Sequence, residues 1–157
     1  MHIGVPREIK DGETRVAMTP ALCRRCVKLG AEVMVERGAG LKSGFTDREF
    51  EAAGAKIART AKQVWSNSEL ILKVKEPLAA EFKYFRPDLT LFTYLHLAAS
   101  PELAQALVKK KVCGIAYESV EAMDGSLPLL KPMSQIAGRL SIQIGAYFLQ
   151  SQNGGSG

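Results

Sequence analysis

Apolar positions fall along this chain in short dense runs, separated by stretches with a helical period. The runs "HIGV" (2–5), "AEVMVE" (31–36), "LILKVK" (70–75), "LTLFTYLHL" (89–97) and "VCGIAYE" (112–118) are rich in β-branched and large apolar residues. Their length and composition predict strands, and the nearly unbroken ones predict strands covered on both faces. "AKIA" (55–58) reads as a minor strand and "LPLL" (127–130) as a short extended piece. Between these runs lie helical patterns with start and stop signals. "TPALCRRCVKLG" (19–30) has Thr19 as N-cap, Pro20 in its first turn and Gly30 as its stop, and "TDREFEAAG" (46–54) runs from Thr46 to Gly54. "TAKQVWSNS" (60–68) places Trp65 in the core, "SPELAQALVKKK" (100–111) starts at Ser100 as cap, and "PMSQIAGRLSIQIGAYFLQ" (132–150) is long. Strands alternating with helices predict an α/β fold: a mainly parallel sheet, helices on both faces, right-handed crossovers and a Rossmann-like or flavodoxin-like layout ending in a long helix.

Composition narrows the function classes. A chain of 157 residues that is 46% hydrophobic and 24% charged is a folded domain with a real core. No apolar stretch reaches the length of a membrane span, and "MHIGVPREIK" lacks a signal pattern, so a cytoplasmic location is expected. The net charge of +5 raises nucleic acid as a partner. The basic residues are spread out, however, and the cluster Lys109–Lys110–Lys111 sits where it complements a helix dipole, so no nucleic-acid role is expected. Three cysteines and a lone "CRRC" (23–26) inside a helical pattern predict core packing, with neither a disulfide nor a metal site.

The last helix carries Ile136, Leu140, Ile142, Ile144, Phe148 and Leu149, which point to most sides of it. Such a helix needs partners on more than one side. The expected organisation is a domain over 1–131, a long interdomain helix over 132–150 and a flexible glycine-rich tail over 151–157, the whole belonging to something larger.

Ligands of open α/β sheets bind beyond the carboxyl ends of the strands. The residues expected there are Arg15 after the first strand, Lys75 closing "LILKVK", Tyr94 and His96 closing "LFTYLHL", and Glu118 closing "VCGIAYE". Each has an ordinary alternative: a solvated arginine, a snorkelling lysine, a packed tyrosine, a satisfied core histidine, a loop glutamate. Taken together, Arg and Lys suit a small carboxylate, the Arg by a bidentate contact, and His96 suits proton transfer near neutral pH. The glycines of "ERGAGLKSGF", Gly38, Gly40 and Gly44, follow a strand but are spaced GxGxxxG, so they read as a loop needing φ > 0 rather than as a dinucleotide fingerprint.

The blocks "GVPREIKDGETRVAMTP", "GAG…GFTD", "ILKVKEP", "LFTYLHLA", "AYE" and "LPLLKPMSQIAGRLSIQIGA" together resemble the N-terminal part of bacterial alanine dehydrogenases, in order and over nearly the whole chain. The N-terminal domain of proton-translocating transhydrogenase is similar in its opening, and the block "FTYLHLA" separates the two. The resemblance implies reversible oxidative deamination of L-alanine to pyruvate and ammonia with NAD. It implies that Arg15 and Lys75 hold the substrate, that Tyr94 and Met133 line its pocket, that His96 is the acid/base, and that Ser134 touches the cofactor, with Glu118 in support. It also implies that the NAD-binding domain lies outside these residues, that this part alone is inactive, and that the whole is a homo-oligomer, a hexamer in the family. A stand-alone α/β domain that binds small carboxylates without catalysis is the other open reading.

Overall fold

Six strands make one all-parallel sheet in a computed structural model that describes residues 1–157. In chain order the elements are β1 (His2–Val5), α1 (Pro20–Lys28), β2 (Glu32–Glu36), α2 (Asp47–Ala52), β3 (Lys56–Ala58), α3 (Ala61–Ser66), β4 (Leu70–Leu72), β5 (Thr90–Thr93), α4 (Pro101–Lys110), β6 (Cys113–Ala116) and α5 (Lys131–Leu149). The strand order is β3-β2-β1-β4-β5-β6. The chain winds outward from β1 to β3, returns to the other side of β1 with β4, and winds outward again, so the order reverses between β1 and β4. The α/β prediction holds, in the Rossmann-like form.

Alternation along the strands builds two cores. Ile3, Val5, Val33 and Val35 point to one face, where they pack with Met18, Cys23 and Phe50. Ile71, Leu91 and Leu95 belong to the other face, with Val64, Trp65, Leu103 and Leu107. Gly4 lets α3 approach closely: a Cβ there would sit 2.8 Å from Val64 Cγ1 and 2.7 Å from Ile71 Cδ1. The caps read from the sequence are present at Thr19 and Thr46, Thr60 also caps α3, and Thr46 and Thr60 form reciprocal capping boxes with Glu49 and Gln63. Ser100 makes no side-chain cap bond. Its backbone lies at φ −138° and ψ 76°, away from the usual N-cap region.

Three strands stop earlier than the apolar runs suggest. β4 ends at Leu72 and not at Lys75, β5 at Thr93 and not at Leu97, and β6 at Ala116 and not at Glu118. The predicted strand ends are therefore loop residues. Leu97–Ala99 and Tyr117–Ser119 are 3-10 turns, and Pro128–Leu130 is a turn instead of an extended piece.

The chain divides into two compact units, 1–116 and 117–157. This boundary precedes the one placed at residue 131 from the start of the long helix. In the second unit α5 buries none of its residues, and Ile136, Ile142, Phe148 and Leu149 are exposed. Ser151–Asn153 beyond it form a 3-10 turn. No helix is long and apolar enough to cross a membrane.

Candidate functional site

The crevice at the switch point is walled by the segments that follow β1 and β4. Glu8 comes from the first and Lys73, Val74 and Lys75 from the second. The Glu8 carboxylate accepts the Val74 N–H through Oε1 (2.6 Å), and through Oε2 it accepts the Lys75 N–H (3.4 Å) and the Lys73 ammonium (3.1 Å). Lys73 reaches a second carboxylate, Glu81, at 3.1 Å. All three side chains are buried: Lys73 is 1%, Glu8 4% and Glu81 6% exposed. Burial pushes the Glu81 carboxyl above its ordinary range, against the pull of Lys73.

On the β5 side the ladder continues past the last strand residues. Lys73 N–H donates to Phe92 C=O (3.2 Å), and Tyr94 N–H donates to Val74 C=O (3.3 Å). The Thr93 hydroxyl donates to the Lys75 carbonyl at 3.0 Å. Lys75 itself is half-buried. Tyr94 is buried, and its ring stacks on His96 with centroids 6.0 Å apart and planes 20° from parallel. His96 is exposed and left-handed at φ 45° and ψ 42°. A packed core histidine is therefore ruled out, and a non-glycine residue in this region carries a strain of about 1–3 kcal/mol that its surroundings must hold.

Arg15 projects from the long connection between β1 and α1. Its Nε donates to Glu13 Oε1 (2.9 Å) and its Nη2 to Glu13 Oε2 (2.6 Å), while its N–H also reaches Oε1 (2.8 Å). The fork expected to clamp a substrate carboxylate is thus engaged along its Nε–Nη2 edge by Glu13. These bonds hold the Glu13 carboxyl down at about 2, and the Lys75 ammonium adds to the effect. The bond from Glu13 raises Arg15 in turn, and the Tyr94 hydroxyl acts in the same direction. Arg15, Lys75, Tyr94 and, through Tyr94, His96 therefore share one electrostatic neighbourhood. Arg15 and Glu13 border a cleft of about 450 Å³ that Arg7, Thr14 and Lys42 also line.

The Glu13–Arg15 pair gives an acid dependence of known sign. Glu13 titrates from 4.5 in the unfolded chain to about 2 in the fold, so its stabilising effect is full above 4.5 and fades as pH falls toward 2. Urea unfolding of the wild type and of Glu13→Gln should therefore differ most near neutral pH and converge at the acid end of that window. A gap that stays constant across it would contradict the pair's assignment.

Two features lack the chemistry their motifs suggest. Burial raises the Cys23 thiol, so "CRRC" is a poor nucleophile pair. In the glycine loop Gly38 (φ 74°) and Gly44 (φ 82°) are left-handed, while Gly40 is needed for space, since a Cβ there would meet Phe50 Cε2 at 2.7 Å. The loop enters a 3-10 turn, Leu41–Ser43, so no helix N-terminus is offered to a pyrophosphate. These residues do not fit a dinucleotide site.

Residues 4–137 match the family described as alanine dehydrogenase/PNT, N-terminal domain. This chain belongs to that family. Alanine dehydrogenase from Methanococcus maripaludis is 57% identical over 157 residues, covering 100% of this chain and 42% of that protein. Its counterpart from Bacillus subtilis is 56% identical over 157 residues, with 100% and 41% covered. A solved L-alanine dehydrogenase superposes with a TM-score of 0.90 at 51% identity, covering 100% of this chain and 43% of that one. The transhydrogenase from Sinorhizobium meliloti superposes at 0.70 with 30% identity over 75% of this chain. The chain thus spans about 42% of the length of its alanine dehydrogenase relatives.

In this alanine dehydrogenase/PNT N-terminal domain, the first unit brings together four of the residues singled out in the sequence: Arg15, Lys75, Tyr94 and His96. Glu118, Met133 and Ser134 belong to the second unit. Glu118 lies in a 3-10 turn instead of closing a strand. Met133 and Ser134 fall in the first turn of α5, where the Ser134 hydroxyl donates to Leu130 C=O (3.4 Å). Glu8, Glu13, Lys73 and Thr93 were not foreseen. The one available signal was the i, i+2 spacing of Lys73 and Lys75, which alternates a charge off an apolar strand.

Proposed function

We propose that this chain is the substrate-binding part of an NAD-dependent alanine dehydrogenase acting in the cytoplasm, which interconverts L-alanine with pyruvate and ammonia as a homo-oligomer. The observation that carries the reading is the convergence of Arg15, Lys75, Tyr94 and His96 at the switch-point crevice, in a chain alike along its whole length to proteins named alanine dehydrogenase. The transhydrogenase likeness is lower in identity and covers less of the chain.

Arg15 and Lys75 supply positive charge for the substrate carboxylate and carbonyl oxygen, with Arg15 steadied by Glu13. A cation beside that oxygen polarises the carbonyl and makes its carbon the electrophile. Tyr94 gives the pocket a rigid wall and holds the His96 ring. His96, exposed at the rim, exchanges protons as water adds to the imino carbon and ammonia departs. Met133 as a pocket residue, Ser134 as a cofactor contact and Glu118 as a supporting residue rest on the family resemblance alone. Hydride exchange with NAD is assigned to the part of the relatives' length that this chain does not span, in keeping with a glycine loop here that does not fit the dinucleotide.

Pyruvate titrated into the 157-residue protein tests the substrate half directly. Lys75→Ala should weaken binding by at least about tenfold, as loss of a charged contact does. Equal affinity for both proteins would remove Lys75 from the site. Retained pyruvate binding without alanine-dependent NADH formation in any longer form would favour the stand-alone binding domain instead.

A further inference from the structure

A buried ion pair contributes little net stability compared with an apolar pair of the same volume, so three buried ionisable side chains in one place call for another reason. Glu8, Lys73 and Glu81 form such a group, and their bonds are not spread evenly. The Glu8 carboxylate is directed at three consecutive residues: the Lys73 side chain and the backbone N–H groups of Val74 and Lys75. From the opposite side the Thr93 hydroxyl holds the Lys75 carbonyl, and Tyr94 N–H holds the Val74 carbonyl. The peptide units on both sides of Lys75 are thus fixed at a point where β4 has already ended and nothing in the strand pairing with β1 continues.

We infer that Glu8 and Thr93 are positioning residues that set the backbone of Lys75 from its two sides, with the Lys73 ammonium as the buried partner of the Glu8 carboxylate. Glu8 lies more than sixty residues from Lys75 in sequence, on the other wall of the crevice. The two walls of the crevice are therefore tied together through the lysine that the proposed function places against the substrate. The inference rests on that reading for what Lys75 does, and on the geometry alone for what Glu8 and Thr93 do.

The experiment has two arms, both on the 157-residue protein. The first arm needs no ligand. Glu8→Gln should speed amide hydrogen exchange at Val74 and Lys75 by at least about tenfold relative to Ile71 and Leu72, because a local anchor is lost and not the sheet. Unchanged relative exchange at those two amides overturns the inference. The second arm is a double-mutant cycle on pyruvate affinity. Glu8→Gln should weaken binding by at least about fivefold in the wild type and have no further effect in Lys75→Ala. Additive losses would show that Glu8 does not act through Lys75, and so overturn the inference. Thr93→Val, nearly isosteric and placed on the opposite side, carries the same cycle if Glu8→Gln does not fold. If Lys75→Ala leaves pyruvate affinity unchanged, the proposed function falls, and the exchange arm alone decides the positioning role.

Discussion

His96→Ala, in a dehydrogenase carrying this chain as its N-terminal part, should lower turnover by at least about a hundredfold, the usual scale for a lost acid–base group. NAD affinity should change far less, because the proposed function places His96 against the substrate and the glycine loop of this chain offers no pyrophosphate site. Placement leads to this size of effect. The side chain is exposed, so it can exchange protons with solvent and substrate, yet its ring is held on Tyr94 and its backbone is fixed in a left-handed turn. An accessible ring held in a fixed position is what general acid–base catalysis requires. His96→Gln keeps a polar group of similar reach but cannot carry the proton, so it should fail nearly as badly as alanine. Steady-state rates with alanine and NAD, measured for both variants, check this. A turnover near normal in His96→Gln would mean that the side chain only binds and that the proton travels by another route.

Lys73→Met should destabilise the fold by about 3–5 kcal/mol, the cost typical of leaving buried carboxylates without their counter-ion. Glu8 and Glu81 would then lie buried with no cation between them. The same change at Lys75, two residues on and half-buried, should cost less than about 1 kcal/mol, as partly solvated charges usually do. Urea midpoints of the two variants at neutral pH compare them directly. Equal losses would show that burial does not distinguish the two lysines. The expected result separates two residues of the same type in one short strand exit: one holds the structure and its neighbour faces the chemistry.

The sequence made Lys75 legible and left Lys73 obscure for a physical reason. Both follow the same apolar run at alternate positions, so periodicity cannot say which is buried. The partners decide: Glu8 lies in the connection after β1 and Glu81 in the 3-10 segment Ala79–Tyr84, and no local pattern links them to Lys73. The sheet, its parallel sense and most caps were readable because strand runs, Thr caps and helical periods are local signals. Strand ends were not. The strand-like patterns continue past Leu72 and Thr93, whereas pairing stops where a neighbouring strand stops, and neighbours are set by topology. The left-handed backbone of His96 has no marker either, since no glycine or asparagine announces it. Glu13 was overlooked because an acid two residues from an arginine is common on surfaces, and only the fold shows one edge of the fork engaged by it.

The central position of β1 has a consequence for how the chain is made. Its first strand pairs with β2 on one side and with β4 on the other, so it waits in the nascent chain until Leu70–Leu72 has been synthesised before both its edges are closed. Until then an apolar strand with an open hydrogen-bonding edge is available to any neighbour, and parallel pairing of such sequence separation forms slowly. Loss of β1 would leave the two-strand set β3-β2 and the three-strand set β4-β5-β6 with nothing between them. Before Leu72 has been made, the growing chain thus carries an open strand edge that the completed sheet closes.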